Sequence, residues 1–261
     1  MFTKSTRIIV IDTETANTLP TKTDSLDMSD VLVYDIGWAI CDKGGNVYET
    51  ASYVNSDIFY RESDLMASAY YADKIPQYLA EIDAGERKVA NIYEIRRAML
   101  SAIERHGVTY AAAYNARFDA NALNRTVQYV TKSFLRYFYP FGKIVWLDIM
   151  KMAQDAVVNS RNYANWATDH DFLTKAGKPR KTAEMIFQYM TGEEDFSEEH
   201  TGLADVLIEV EIMAFCFSER DRRKIKMRTL LWENPKEFPE QTDFQRMVMR
   251  NIKDFPTLRM T

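Results

Sequence analysis

At 261 residues, 46% hydrophobic and 27% charged, the chain is long enough to bury a sizeable core and too apolar for a disordered or fibrous class. Its longest uninterrupted apolar run, residues 212–217, is about a third of what crossing a bilayer requires, which argues against a membrane-spanning protein. A net charge of -5 argues against a surface that grips nucleic acid everywhere, yet leaves room for a local basic channel.

The first eleven residues carry Lys4 and Arg7, followed by only four consecutive apolar residues, short of a signal peptide, so the expected location is cytoplasmic. Residues 7–12 read as a buried strand, because Ile8, Ile9, Val10 and Ile11 form a β-branched run that ends abruptly in polar residues. A polar loop is expected over 15–29. Residues 31–42 and 46–55 read as two further strands, with Gly44 and Gly45 between them for a tight hairpin. The chain therefore opens as a three-stranded antiparallel meander.

A helical region interrupted near Pro76 is expected over 62–80. A stronger helix follows, whose Ile92, Ile95, Met99 and Ile103 recur at three- and four-residue steps until His106 and Gly107 end it. Residues 108–114 read as a strand, 116–130 as a helix and 143–148 as a short strand. Helices are then expected over 149–158, 183–190 and 203–217. Three antiparallel strands followed by alternating helix and strand predict an α/β fold, a mixed sheet with helices packed on it. After Ser218 the pattern changes. The last 43 residues hold 11 Lys or Arg against 7 Asp or Glu, so residues 219–261 read as a basic C-terminal extension of a body spanning 1–218.

Cys41 and Cys216 are too few for a disulfide framework or a cysteine-rich zinc site, and His106, His170 and His200 are too few for most histidine-based zinc centres. Any metal must be held mostly by oxygen. Asp12 and Glu14 stand two apart at the end of the first strand, where both carboxylates face one side while Thr13 points away. A polar strand exit would look the same, but strand ends in α/β sheets open into the crevice used for ligands. Asn115 and Asp119 are four apart at a strand–helix junction, with Asn115 a natural N-cap for the helix. His200 and Asp205 are five apart, about 500° along a helix, so they share a site only if the helix starts after His200. Thr201 is a suitable N-cap for that start, leaving His200 on the preceding loop.

Each pair alone is only suggestive. Their order and context, in the stretches IIVIDTET, AAAYNARFDANAL and EEHTGLADVLIEVEI, resemble the DEDDh family of 3′-to-5′ exonucleases over roughly residues 7–218. The resemblance implies a ribonuclease-H-like fold and a hydrolase that removes nucleotides from the 3′ end of nucleic acid. It implies two divalent metal ions, Mg2+ or Mn2+, held by Asp12, Glu14, Asp119 and Asp205, with His200 as general base. Many relatives continue the first motif with Thr-Gly-Leu, where this chain has Thr15, Ala16 and Asn17, so the loop shaping the terminal-nucleotide pocket differs. The expected partner is nucleic acid, single-stranded DNA rather than duplex; RNA is the alternative, as is a non-catalytic module of the same fold that binds nucleic acid or a polymerase. A proofreading role would require a polymerase partner.

Four other features have structural readings. Asp148, at a strand end, reads as a helix cap rather than a ligand. Asp169, His170 and Asp171 read as a solvated loop, since adjacent residues rarely converge on one ion. Tyr70, Tyr71 and Tyr78 read as core packing, with base stacking the alternative. Arg222, Arg223, Lys224, Lys226 and Arg228 read equally as a helix end and as a phosphate track.

Overall fold

The structure, a computed structural model, describes residues 2–3, 5–16, 31–67, 69, 71–138 and 144–224. Strands β1 (Ile8–Ala16), β2 (Leu32–Cys41) and β3 (Val47–Asn55) form the expected antiparallel meander. At the β2–β3 hairpin Gly45 takes a φ of +85°, and the Asp42 carboxylate accepts the N–H groups of Gly44 and Asn46. A short β4 (Lys88–Ala90), which sequence patterning did not show, pairs parallel to β3, while β5 (Tyr110–Ala113) and β6 (Val145–Asp148) run parallel to β1 and to each other. The order across the mixed sheet is β4-β3-β2-β1-β5-β6.

The segment after β3 breaks into α1 (Ser56–Phe59), α2 (Ser63–Ala67), a 3-10 turn (Ala72–Lys74) and α3 (Ile75–Asp83). Pro76 lies in the first turn of α3, where a missing N–H costs nothing, so it starts a helix instead of interrupting one. Then come α4 (Ile92–His106), closed by Gly107 at a φ of +61°, and α5 (Ala116–Thr131). After β6 follow α6 (Ile149–Ala153), a π-helical turn (Gln154–Val158), α7 (Arg161–Asp169), α8 (Ala183–Thr191) and α9 (Gly202–Arg223). The last helix runs past Ser218, so residues 219–223 are its final turns; residues 225–261 of the expected extension lie outside the described residues, as does most of the loop expected over 15–29.

Alternation along β1 divides the core. Ile8 and Val10 pack with Val206, Val210 and Met213 of α9, whereas Ile9 and Ile11 pack with Met99 of α4 and Leu123 of α5. A strand covered on both faces reads as a continuous apolar run, which is why Ile8–Ile11 shows no alternation in sequence. No helix among the described residues is long and apolar enough to cross a membrane.

The head of α9 lies directly on the sheet. A Cβ on Gly37 of β2 would stand 2.2 Å from the Gly202 carbonyl carbon, and one on Gly202 would stand 2.7 Å from the Gly37 nitrogen. Two backbones meet here because neither residue has a side chain. Gly37→Ala is therefore expected to push α9 off β2, costing about 3 kcal/mol or more by the overpacking scale, and urea unfolding monitored by circular dichroism measures the loss. An unchanged midpoint would show that the contact is looser than this geometry.

Candidate active site

The same alternation aims the site residues. Asp12 and Glu14 continue the face of Ile8 and Val10, beneath α9, and lie opposite Gly37 and Asp35 of β2. Carboxylate oxygens of Asp12, Glu14 and Asp205 come within 4.8 Å of one another. Thr13 faces the other side, as expected, but is not idle: its hydroxyl donates to Asp119 Oδ1 at 2.9 Å. Asp119, on the first turn of α5, is 2% exposed and raises the affinity of Asp12 for its proton, yet among the described residues it completes no three-residue group of the kind formed by Asp12, Glu14 and Asp205. Asn115 occupies the N-cap position of α5 in the left-handed conformation at a φ of 67° and makes no side-chain cap bond, contrary to the expected role.

His200 stands before α9 with a φ of 50°, and its backbone N–H donates to the Asp205 carboxylate. The imidazole Nδ1 is 4.0 Å from Asp205 Oδ2 and 3.8 Å from Glu198 Oε2. Thr201 holds the N-cap position but makes no side-chain cap bond; Asp35 of β2 supplies an acceptor instead, taking the Gly202 N–H at 2.9 Å. Asp35 is fully buried and also accepts from Arg87 Nη1 at 2.9 Å and the Tyr78 hydroxyl at 2.8 Å. This node ties β2, α3 and the segment before β4 to the head of α9, and thereby fixes Asp205 against Asp12.

Four further groups border the cluster: Glu209, Glu198 and Lys74, which were not read from the sequence, and Tyr71, which reads there as core packing or a base-stacking wall. Glu209 is 3% exposed, accepts the Tyr114 N–H at 3.1 Å, and is the charge that raises Asp12 most after desolvation. It lies one turn beyond Asp205, so helical spacing alone would have found it. Glu198 forms a second convergent group with His200 and Asp205. Tyr71 stacks on His200 with ring centroids 4.5 Å apart, and Lys74 bonds the Glu199 carbonyl. Of the three tyrosines, Tyr78 is core, Tyr71 belongs to the site, and Tyr70 lies outside the described residues.

Burial and mutual repulsion lift the acids. Desolvation, then the neighbouring carboxylates, raises Asp12, and desolvation with Asp205 and Asp35 pushes Glu14 up to about 9. Desolvation is also the largest cause that brings Asp119, Asp205 and Glu198 to about 7. His200 moves the other way, lowered by burial and by Lys74, despite the carboxylates near its Nδ1. A clustered set of hard oxygen donors is what a divalent cation would neutralise, and Asp205 Oδ1 is buried without a hydrogen-bond partner. The residues present fit such an ion.

Asp148 and the 169–171 loop keep their structural readings. Asp148 caps α6 through the Lys151 N–H at 3.1 Å. His170 caps α7 and contacts Glu194 at 3.2 Å; Asp169, His170 and Asp171 form no convergent metal group among the described residues. Of the basic cluster, Arg222 pairs with Glu219, Arg223 donates to the Ala156 carbonyl at 2.8 Å and Lys224 is the C-cap of α9, while Lys226 and Arg228 lie outside the described residues.

No protein-family model and no curated protein matches the chain. Solved structures do. Exonuclease I from Methylocaldum szegediense aligns over 84% of this chain and 41% of its own, at 17% identity and a TM-score of 0.51. Exonuclease I of E. coli in complex with a dT13 oligonucleotide aligns over 93% of this chain and 46% of its own, at 13% identity and a TM-score of 0.50. The fold is ribonuclease-H-like. An SSB/exonuclease I structure with the inhibitor CFAM aligns similarly, over 83% of this chain and 42% of its own, at 14% identity and a TM-score of 0.52. The chain spans less than half the length of each of these exonucleases. In this ribonuclease-H-like sheet β1 stays paired to β2 through Ala16, so Asp12 and Glu14 lie within the strand and not at the end expected from sequence, beneath the head of α9.

Proposed function

We propose that the protein is a metal-dependent 3′-to-5′ exonuclease of the DEDDh type. The observation that carries this reading is the convergence of Asp12, Glu14 and Asp205 within 4.8 Å beside His200. A module that only binds nucleic acid gains nothing from a cluster of like charges facing a polyanion.

In this reading Asp12, Glu14, Asp119 and Asp205 hold two divalent cations, Mg2+ or Mn2+. Such ions, when bound, polarise the phosphate and stabilise charge on the entering and leaving oxygens. The chain's own residues do the rest. Asp12 is the member of the set on which desolvation and the charges of Glu209, Asp119, Glu14 and Asp205 all act, each raising its proton affinity. Thr13 holds Asp119 in orientation through its hydroxyl. His200, kept neutral at pH 7 by burial and Lys74, accepts a proton from the attacking water through its ring nitrogen. Tyr71 stacked on one face fixes the plane of that ring.

The preference for single-stranded DNA takes its support from the oligonucleotide complex of the E. coli neighbour. The acids themselves grip phosphate, common to DNA and RNA, and a choice between them would rest on contacts to the 2′-hydroxyl. A second reading of His200 also has an observation behind it: Glu198, His200 and Asp205 converge closely enough to hold an ion, which would make the imidazole a ligand.

Digestion of 5′-labelled DNA and RNA oligonucleotides tests the reading. A ladder shortening from the 3′ end is expected with magnesium, and none with chelator. Intact oligonucleotide under both conditions would overturn it.

A further inference from the structure

The loop between α7 and α8 carries Lys175, Lys178, Arg180 and Lys181 and, over residues 172–182, no acid. It folds back on itself: Leu173 and Pro179 form an antiparallel bridge, Gly177 turns at a φ of +70°, and the Lys178 N–H donates to Thr174 Oγ1 at 3.1 Å. The returning limb is fixed to the body at consecutive carbonyls. The Tyr163 hydroxyl donates to the Arg180 carbonyl at 2.8 Å, and the Tyr114 hydroxyl donates to that of Lys181. Tyr163 is fully buried, so these are anchors and not surface contacts. The backbone is held while the side chains of Lys178 and Arg180 stay exposed.

Lys178, Arg180 and Lys181 line a cleft of about 930 Å³ that is also lined by Asp12, Asp205 and Glu209. Among the described residues none of the three makes an ion pair within 4 Å, in a chain whose net charge is -5; Arg180 Nε donates to the Leu173 carbonyl at 3.2 Å, and the charge of Lys181 offsets through space part of the desolvation that raises Asp148. A loop that served only solubility has no reason to set three cations on the wall of an acid-lined cleft. Cations that served to neutralise the acids would be paired with them. An extended anion entering the cleft, with one end at the acids and the rest along the loop, matches this lining.

We propose that Lys178, Arg180 and Lys181 form a strap that grips the phosphates of a nucleic-acid strand upstream of the 3′-terminal linkage held at Asp12, Glu14 and Asp205. This rests on the exonuclease reading, which fixes where the strand ends. Contacts from lysine and arginine to phosphate carry no base information. They suit an enzyme that must release and regrip the strand after each nucleotide whatever its sequence. The three cations set register, and the acids do the chemistry.

Fluorescence anisotropy against salt tests the strap. The probe is a fluorescein-labelled oligothymidylate with phosphorothioate linkages at its 3′ end to slow hydrolysis, with magnesium present. Replacing all three cations with glutamine breaks no ion pair and loses one loop hydrogen bond, from Arg180 Nε to the Leu173 carbonyl, while the backbone anchors at the carbonyls of residues 180 and 181 remain; circular dichroism verifies that the fold holds. Each lost phosphate contact flattens the plot of log affinity against log salt by about 0.7 for a single strand, so the triple variant should flatten it by about 2 and bind at least tenfold more weakly at low salt. Lys175→Gln, on the same loop but outside the cleft lining, should leave the slope unchanged. A triple variant with the wild-type slope, a wild type that does not bind, or a Lys175→Gln effect as large as the others' would overturn the strap. A wild type that binds with the expected slopes but shortens no unmodified strand would retire the exonuclease reading and leave the strap standing.

Discussion

Asp12→Ala is expected to abolish hydrolysis and to weaken or remove divalent metal binding, whereas His200→Ala keeps the metal and loses about 10² to 10⁴ in rate, the usual contribution of a positioned general base. The two differ because the structure gives them different company. Asp12 lies among Glu14, Asp119, Asp205 and Glu209, each of which raises its proton affinity, so its removal dismantles the donor set. His200 leans on the rim of that set, its Nδ1 4.0 Å from Asp205, with Tyr71 against its face. Isothermal calorimetry with Mn2+ and single-turnover digestion measure the two effects separately. With metal saturating at every pH, so that protonation of the carboxylates does not empty the site, wild-type rate should fall on the acid side as His200 takes a proton, and His200→Ala should lack that limb. The limb should lie below the ordinary histidine range, because burial and Lys74 lower the imidazole. If His200→Ala loses metal instead, the group formed by Glu198, His200 and Asp205 is the ion site and the general-base assignment is wrong.

Much of this arrangement is legible in sequence because local rules and the fold agree. The apolar run Ile8–Ile11 ending in Asp12, the paired glycines of the hairpin, and the three- and four-residue steps of α4 each specify an element without help from elsewhere. What was illegible depends on contacts between distant segments. The three residues of β4 have no pattern of their own and become a strand only because β3 offers an edge. The helix α7 has few apolar positions in RNYANWATD, and it forms around Tyr163 and Ala167, which the α8 and α9 side of the core buries. In the site, Asp12, Glu14 and Asp205 follow from the order of three motifs and the family they resemble, since each spacing alone is only suggestive. Asp35 does not, since a lone acid inside VLVYDIGWAIC reads as a flaw until Arg87, Tyr78 and the Gly202 N–H are seen to converge on it. The expected caps from Asn115 and Thr201 fail for a related reason. Asn115 is drawn into the left-handed region at the β5–α5 junction, and the first N–H of α9 is taken by the sheet.

The acid cluster also makes the stability of the metal-free protein depend on pH in a direction opposite to ordinary acid denaturation. Free carboxylates titrate near pH 4, so the unfolded chain ionises there. In the folded protein Asp119, Asp205 and Glu198 hold protons to about 7 and Glu14 to about 9, chiefly through desolvation. Groups raised in this way contribute stability that is fully present below pH 4 and is lost as pH climbs through their folded values. From pH 5 to 9 the unfolded state carries the charges freely while the folded state must bring them together. A tenfold change in proton affinity corresponds to about 1.4 kcal/mol, and because these groups interact their contributions do not add, so a fall on the order of 3 kcal/mol is expected. Lowered acids such as Asp42 and Glu49 act only below pH 4 and leave this window untouched. Metal reverses the trend, because it binds the ionised cluster and competes with protons for the same oxygens. Thermal unfolding in chelator should therefore give a Tm that drops steadily from pH 5 to 9. Saturating Mg2+ should raise Tm far more at pH 8 than at pH 5, by about 2.7 kcal/mol in stability at a hundredfold excess over Kd. In Asp12→Ala both the drop and the metal response should shrink together, since one removed carboxylate relieves the repulsion and spoils the donor set. A Tm in chelator that is flat across this range, or a magnesium response larger at pH 5 than at pH 8, would show that these acids are ionised in the folded protein without help.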